Sequence, residues 1–248
     1  MRRFALACPL VATVVALFAC TSPPHARTDR LPLRFVWAWE RPEDLSDLDP
    51  RIGIAYLAQT ITLSGDRVAI APRRQPLRVA PGATVSAVTR IESDATLATA
   101  DASRVDVVAN AIAATASRPR VAAVQIDFDA AASERRAYRH LLAAVRQRLP
   151  NTPLSITALA SWCADDDWLR DLPIEEAVPM LFRMGAANAP YLRVAASPNR
   201  LALLCRGAVG VALDEPVHVA AVGRRVYVFS PHPWTPFALK QALGLVNE

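Results

Sequence analysis

Val121-Ala-Ala-Val-Gln-Ile-Asp-Phe-Asp129 sets an apolar, β-branched run against two carboxylates spaced two apart. In an extended chain, residues two apart project from one face, so Asp127 and Asp129 can point at one site. The next stretch, Ser133–Leu149, has helical periodicity in Tyr138, Leu141, Leu142, Val145 and Leu149. The two acids therefore fall where a buried strand meets the loop before a helix. In α/β proteins that edge carries chemistry.

Working outward, strands are expected at Leu33–Trp39, Gly53–Leu57, Thr84–Ile91, Leu154–Leu159, Ala177–Leu181, Val209–Leu213 and Arg225–Ser230. Thr60–Leu63 and Arg67–Ala71 read as a hairpin around Ser64-Gly65-Asp66. Helices are expected over Ser103–Ser117, with Ser103 as candidate N-cap, and over Pro236–Leu243; Asp165–Asp171 reads as a short helix. About eight core strands, several followed by helices, favour a parallel sheet with crossovers. Their number and length point to a (β/α)8 TIM-like barrel, irregular in places, with a β-hairpin insertion after the second strand. A Rossmann fold would open with a glycine-rich turn after its first strand, where this chain has Trp39-Glu40-Arg41-Pro42.

The first 20 residues read as an export signal: Arg2 and Arg3, then the apolar run Phe4–Phe18, too short for a confident membrane span. Leu17-Phe18-Ala19-Cys20 resembles a bacterial lipobox, which implies lipidation at Cys20 and a membrane anchor facing the periplasm. Ordinary signal-peptidase cleavage nearby is the alternative, and both export the protein. Residues 21–32 read as a proline-containing tether, and 33–248 as a single domain whose 52% hydrophobic content can fill a sizeable core. Cys163 and Cys205 then remain, either as a disulfide or as two buried thiols.

The whole chain carries a net charge of +5, and no basic run is interleaved with aromatics, so nucleic acid is not an expected partner. The four histidines show no ligand spacing, and Asp165-Asp166-Asp167 lacks the alternation of a calcium loop; neither metal nor cofactor is expected. No Gly-x-Ser-x-Gly elbow and no Gly-x-x-x-x-Gly-Lys loop is present.

In a barrel the strand exits form one ring. Here that ring collects Trp39, Glu40, Tyr56, Arg90, Glu92, Asp127, Asp129, Trp162, Arg183, Met184, Asp214, Glu215, His232 and Trp234. Indoles stack on the C–H faces of sugars while carboxylates and arginines bond hydroxyls, so the ring describes a glycan cleft. Glycoside hydrolysis needs two carboxyl groups across the scissile bond. Asp129 or Asp127 as acid and Glu215 as second carboxylate, backed by Asp214, would provide them. The structural alternatives are loop-capping acids, a turn at Asp214-Glu215-Pro216, and tryptophans plugging the barrel mouth.

Four blocks together resemble a bacterial family of unknown function, the domain numbered 3142. They are Val36–Glu40 (VWAWE), Gln125–Asp129 (QIDFD), Leu154–Cys163 (LSITALASWC) and Val178–Gly185 (VPMLFRMG). The resemblance runs from about Leu33 to Trp234. It implies an exported protein built like a glycosidase barrel and brings no established reaction. The Asp-x-Asp strand also resembles the fourth strand of chitinase-like barrels, whose Asp-x-Asp-x-Glu series supplies the acid; here the last position is Ala131. The resulting expectation is a carboxylate-based glycan hydrolase or transferase, with a non-catalytic glycan-binding or envelope scaffold protein as the rival.

Overall fold

The computed structural model describes residues 27–185, 188–215 and 223–244. Its strands are β1 (Arg34–Ala38), β2 (Glu43–Leu45), β3 (Ile52–Ser64), β4 (Arg67–Pro72), β5 (Leu77–Val79), β6 (Val85–Ser93), β7 (Val121–Asp127), β8 (Leu154–Leu159), β9 (Glu176–Met180), β10 (Ala208–Ala212) and β11 (Arg225–Phe229). Its helices are α1 (Ala102–Thr115), α2 (Arg135–Arg148), α3 (Ala160–Ala164), α4 (Asn188–Ala195) and α5 (Pro236–Gly244). Eight parallel strands pair in the order β1-β3-β6-β7-β8-β9-β10-β11, and β11 pairs back onto β1 to close the barrel. Closure leaves no free edge among these eight.

Helices do not alternate with every strand. They follow β6, β7, β8, β9 and β11, whereas the connections from β1 to β3 and from β3 to β6 carry the small parallel pair β2–β5 and the hairpin strand β4. The regular (β/α)8 alternation expected from the sequence is thus replaced by a strand-rich half. The reason lies in β3. Gly53–Leu57 and Thr60–Leu63 form one continuous strand, bulged between Leu57 and Gln59, that overshoots the barrel and folds back into β4 at Gly65 (φ +54°).

Two further local expectations change. Asp101, not Ser103, caps α1, its carboxylate accepting the Arg104 N–H at 2.9 Å. Asp165–Asp171 forms turns rather than a helix, because Asp166 takes the Trp168 N–H at 3.0 Å and an ion pair from Arg135. The signal segment and Cys20 lie outside the described residues. Among the described residues no helix is long and apolar enough to cross a membrane.

Strand alternation separates three packed layers. Val124 and Ile126 of β7 face outward against Val108 and Ile112 of α1 and Leu141, Leu142 and Val145 of α2. On the other side, Val36, Ile54, Val209, Val211, Val226 and Val228 pack with Trp234 and Ala242. Phe35, Trp37, Ala55, Val88, Ala123, Val178, Ala208 and Tyr227 fill the barrel itself. Phe35 and Trp37 stack on Tyr227 with ring centroids 4.9 and 5.7 Å away.

That aromatic filling leaves room for a polar column. At the closed end Arg225 pairs with Glu176 at 2.5 Å, and Tyr227 donates to Glu176 at 2.9 Å; burial pushes the Glu176 carboxyl up while Arg225 and Tyr227 pull it back down. At mid-height the Trp37 indole donates to Gln125 (2.9 Å), whose amide donates to Ser155 (3.2 Å). Each of these polar groups has a partner, as a low-dielectric interior demands, whereas the buried Ser86 hydroxyl nearby has none among the described residues.

Space within the barrel is set by glycines as well as rings. A Cβ on Gly53 would stand 2.3 Å from the Phe35 ring. Gly53→Ala is therefore expected to cost roughly 1–3 kcal/mol in urea denaturation, by forcing Phe35 off its stack. Cys163 and Cys205 form a disulfide across 42 residues, tying α3 to the segment that leads into β10. Removing it in a Cys163→Ala/Cys205→Ala variant should cost about 2–4 kcal/mol; an unchanged denaturation midpoint would contradict that role.

Candidate functional site

A cleft of about 980 Å³ opens at the C-terminal ends of the barrel strands. Its floor is the top of the polar column. Asp127, facing inward on β7, is in register with Arg90 on β6 and accepts that residue's Nη1 at 2.8 Å. Its other oxygen accepts the Thr157 hydroxyl of β8 at 2.7 Å. One buried carboxylate thus ties three adjacent strands together.

Asp129 lies two residues further, past the end of β7, and lines the cleft. Among the described residues its carboxylate has no hydrogen bond or ion pair. Although Asp129 is exposed, partial shielding by the cleft walls raises its pKa, repulsion from Asp127 raises it further, and Arg90 pulls it down. The same two acids, added to complete burial, push the Tyr138 hydroxyl beneath them well above its ordinary value.

The facing wall is aromatic. Phe182 and Phe229 stack at 5.5 Å with an interplanar angle of 3°, Trp39 meets Phe229 edge-on at 6.3 Å, and Tyr191 completes the lining. The Arg90 guanidinium lies 5.7 Å from the Trp39 ring centroid, linking the charged and aromatic sides. Two arginines hold the β1 exit in place. Arg73 donates to the carbonyls of Trp39 and Arg41, each at 2.5 Å, while Arg41 pairs with Glu43 at 2.6 Å and donates to the carbonyls of Ser230, Pro231 and His232. Glu40 is held by its Oε1, which accepts the N–H groups of Arg74 (3.0 Å) and Gln75 (3.1 Å).

Of the residues singled out in the sequence, the cleft brings together Trp39, Glu40, Arg90, Glu92, Asp127, Asp129, Arg183 and Met184. The others stand apart, each for a definable reason. Trp162 is buried because β8 gives way at once to α3, which turns the indole into the core, edge-on to Trp168 at 4.9 Å; Leu159, Ala160 and Ser161 line the cleft instead. Trp234 is also buried, its indole donating to the Trp37 carbonyl at 2.7 Å as a clamp on β1. Tyr56 is mid-strand, not at an exit, and shares the outward face of β3 with Ile54. His232 is exposed outside the cleft lining, engaged through its carbonyl.

Asp214 and Glu215 do not line the cleft either. Both are taken by Arg183: Nη2 to Asp214 at 2.7 Å, Nε to Glu215 at 2.9 Å, and the Arg183 backbone N–H to Glu215 at 2.9 Å. These three contacts hold Arg183 in a left-handed conformation (φ +58°) that costs a non-glycine residue about 1–2 kcal/mol. The Asp129–Glu215 pair expected from sequence is therefore not assembled in one cleft. Thr157, Phe182, Phe229 and Tyr191 were not singled out; for Thr157 the available signal was its place on the same strand face as Ser155.

Residues 82–183 match the family model described as a domain of unknown function, DUF3142. The matched span runs from before β6 to the loop after β9 and includes Arg90, Asp127, Asp129, Thr157 and Arg183. No curated protein matches the chain. Among the described residues, no group of three or more histidines, cysteines or acids is disposed to hold a metal ion.

The electrostatics of the acid pair have a signed consequence. Asp127→Asn should lower the pKa of Asp129 and Arg90→Met should raise it, read from carboxyl carbon shifts in an NMR titration. Because the folded state holds the Asp129 proton more tightly than the unfolded chain, ionised Asp129 opposes folding above its folded pKa. Asp129→Asn should thus raise Tm at neutral pH, and the gain should fade as pH falls through the raised pKa and be gone below the ordinary aspartate range. A Tm lowered at neutral pH would contradict the assignment.

Proposed function

We propose that the cleft binds a glycan and that Asp129 delivers the proton to a glycosidic oxygen. The supporting observation is the division of labour between the two acids. Asp127 is locked by Arg90 and Thr157, whereas Asp129 keeps its carboxyl unengaged in the cleft with a raised pKa. A carboxyl raised beside a fixed carboxylate is the pattern of a general acid next to a fixed negative charge. The facing rings of Trp39, Phe182 and Phe229 suit the apolar faces of sugar units. In this reading the barrel is a variant (β/α)8 barrel working at its usual strand-exit face.

A second carboxylate is needed, and Glu40 replaces Glu215 in that role. Glu40 lines the cleft with Oε1 fixed by two backbone N–H groups, which leaves Oε2 to activate water or attack the sugar. A second reading, a glycan-binding protein without turnover, is favoured by the engagement of Asp214 and Glu215 with Arg183 and by Ala131 at the position of the chitinase-like acid. Export with a lipid anchor at Cys20 belongs to the same proposal, and the Cys163–Cys205 disulfide supports an oxidising compartment.

Assay against a panel of oligosaccharides tests the reading. Wild type should release shorter products, Asp129→Asn should lose about 100-fold or more in kcat with binding retained, and Trp39→Ala should weaken binding by about 1 kcal/mol. Binding by wild type without turnover on any member would favour the second reading. For the anchor, radiolabelled palmitate should enter the wild-type chain in bacteria and not the Cys20→Ala variant.

A further inference from the structure

The charges around the cleft narrow the kind of glycan it takes. Four carboxylates line it: Glu40, Glu92, Asp127 and Asp129. Three guanidiniums line it as well, and each is already committed. Arg41 is spent on Glu43 and on backbone carbonyls, Arg183 on Asp214 and Glu215, and Arg90 is shared between Asp127 and Glu92. Counting these ion-pair partners, seven carboxylates meet three guanidiniums, or four with Arg73, which stands against Glu40 and Glu43. A chain with a net charge of +5 has therefore concentrated negative charge at this cleft.

The unengaged acceptors lie on the same surface. Both oxygens of Asp129, Oε2 of Glu40 and Oε2 of Glu92 have no partner among the described residues. They share the cleft with the faces of Phe182, Phe229 and Tyr191, and Arg90 over Trp39 shows that this wall accommodates a cation. Carboxylates opposite aromatic rings favour an ammonium group by direct ion pairing and by ring quadrupole. An anionic sugar meets the opposite situation, since no lining arginine has a charge left to offer and the field repels it.

Resting on the glycan reading above, we infer that the cleft selects an amino-sugar polymer whose amines are free and protonated, in preference to its N-acylated or acidic counterparts. The ammonium group is held by Glu92, with Glu40 beside it, while the ring packs on the aromatic wall. The charge also steers the approach of a polycationic chain, an effect that salt screens.

Titration calorimetry of the wild-type protein with three tetrasaccharides of one linkage tests this: the glucosamine form, the N-acetylglucosamine form and a uronic acid form, at a pH where the amines are protonated. The glucosamine form should bind at least tenfold more tightly than the N-acetyl form, with the uronate weakest. Raising salt should shrink that advantage, and Glu92→Gln should remove most of it. Equal or tighter binding of the neutral or acidic form overturns the inference and leaves the glycan reading standing. Failure of all three to bind overturns both. A linear polyamine without sugar rings, run alongside, should bind more weakly than the glucosamine form; equal affinity would overturn the sugar assignment.

Discussion

Asp127 carries a buried charge to the top of a barrel filled by aromatic rings and a polar column, and it is held there by Arg90 and Thr157. A carboxylate in that position is costly unless both oxygens are engaged, and the two contacts come from the strands on either side. The same pair of contacts therefore joins β6, β7 and β8 at their C-terminal ends and fixes the floor of the cleft. Everything proposed for Asp129 depends on this arrangement. Partial shielding from water and a fixed negative neighbour together raise the Asp129 pKa, and the second would be lost if Asp127 could swing away.

The barrel combines two ways of filling its interior. Rings from Phe35, Trp37 and Tyr227 supply volume, while Glu176, Gln125 and Asp127 each bring polarity with its partners attached. Stacked rings stiffen the lower barrel, and the absence of a side chain on Gly53 and Gly210 lets Phe35 and Trp37 fit. Function is confined to the end where the rings stop closing the space. There Trp39, Phe182 and Phe229 form a wall instead of a plug, since they stand at or just past the ends of their strands and the neighbouring loops are held by Arg41, Arg73 and Arg183.

Much of this was legible in the chain, and the failures have physical causes. The β-branched run before Asp127 could hardly be anything but a buried strand, and period-two alternation placed both acids inward. What one sequence does not reveal is whether a residue after a strand stays extended or turns into a helix. Trp162 followed the second course and Trp234 became a clamp on β1, so two expected sugar platforms are core residues. Tyr56 was displaced for another reason: β3 runs through its exit into a hairpin, which left Tyr56 mid-strand. Glu215 was misplaced because its environment depends on Arg183, whose left-handed backbone arises only from contacts made across the finished fold. The aromatic wall at the exits of β9 and β11 is not legible in the chain, because Phe182 and Phe229 look like ordinary strand ends in isolation.

The central claim, that Asp129 is the acid of a glycan cleft, is tested most directly by the crystal structure of the Asp129→Asn protein with a bound oligosaccharide. The account predicts sugar rings against Trp39, Phe182 and Phe229, with a glycosidic oxygen within hydrogen-bonding distance of the side chain at position 129. An oligosaccharide bound elsewhere on the barrel, or lying in the cleft with every glycosidic oxygen out of reach of that side chain, would contradict it.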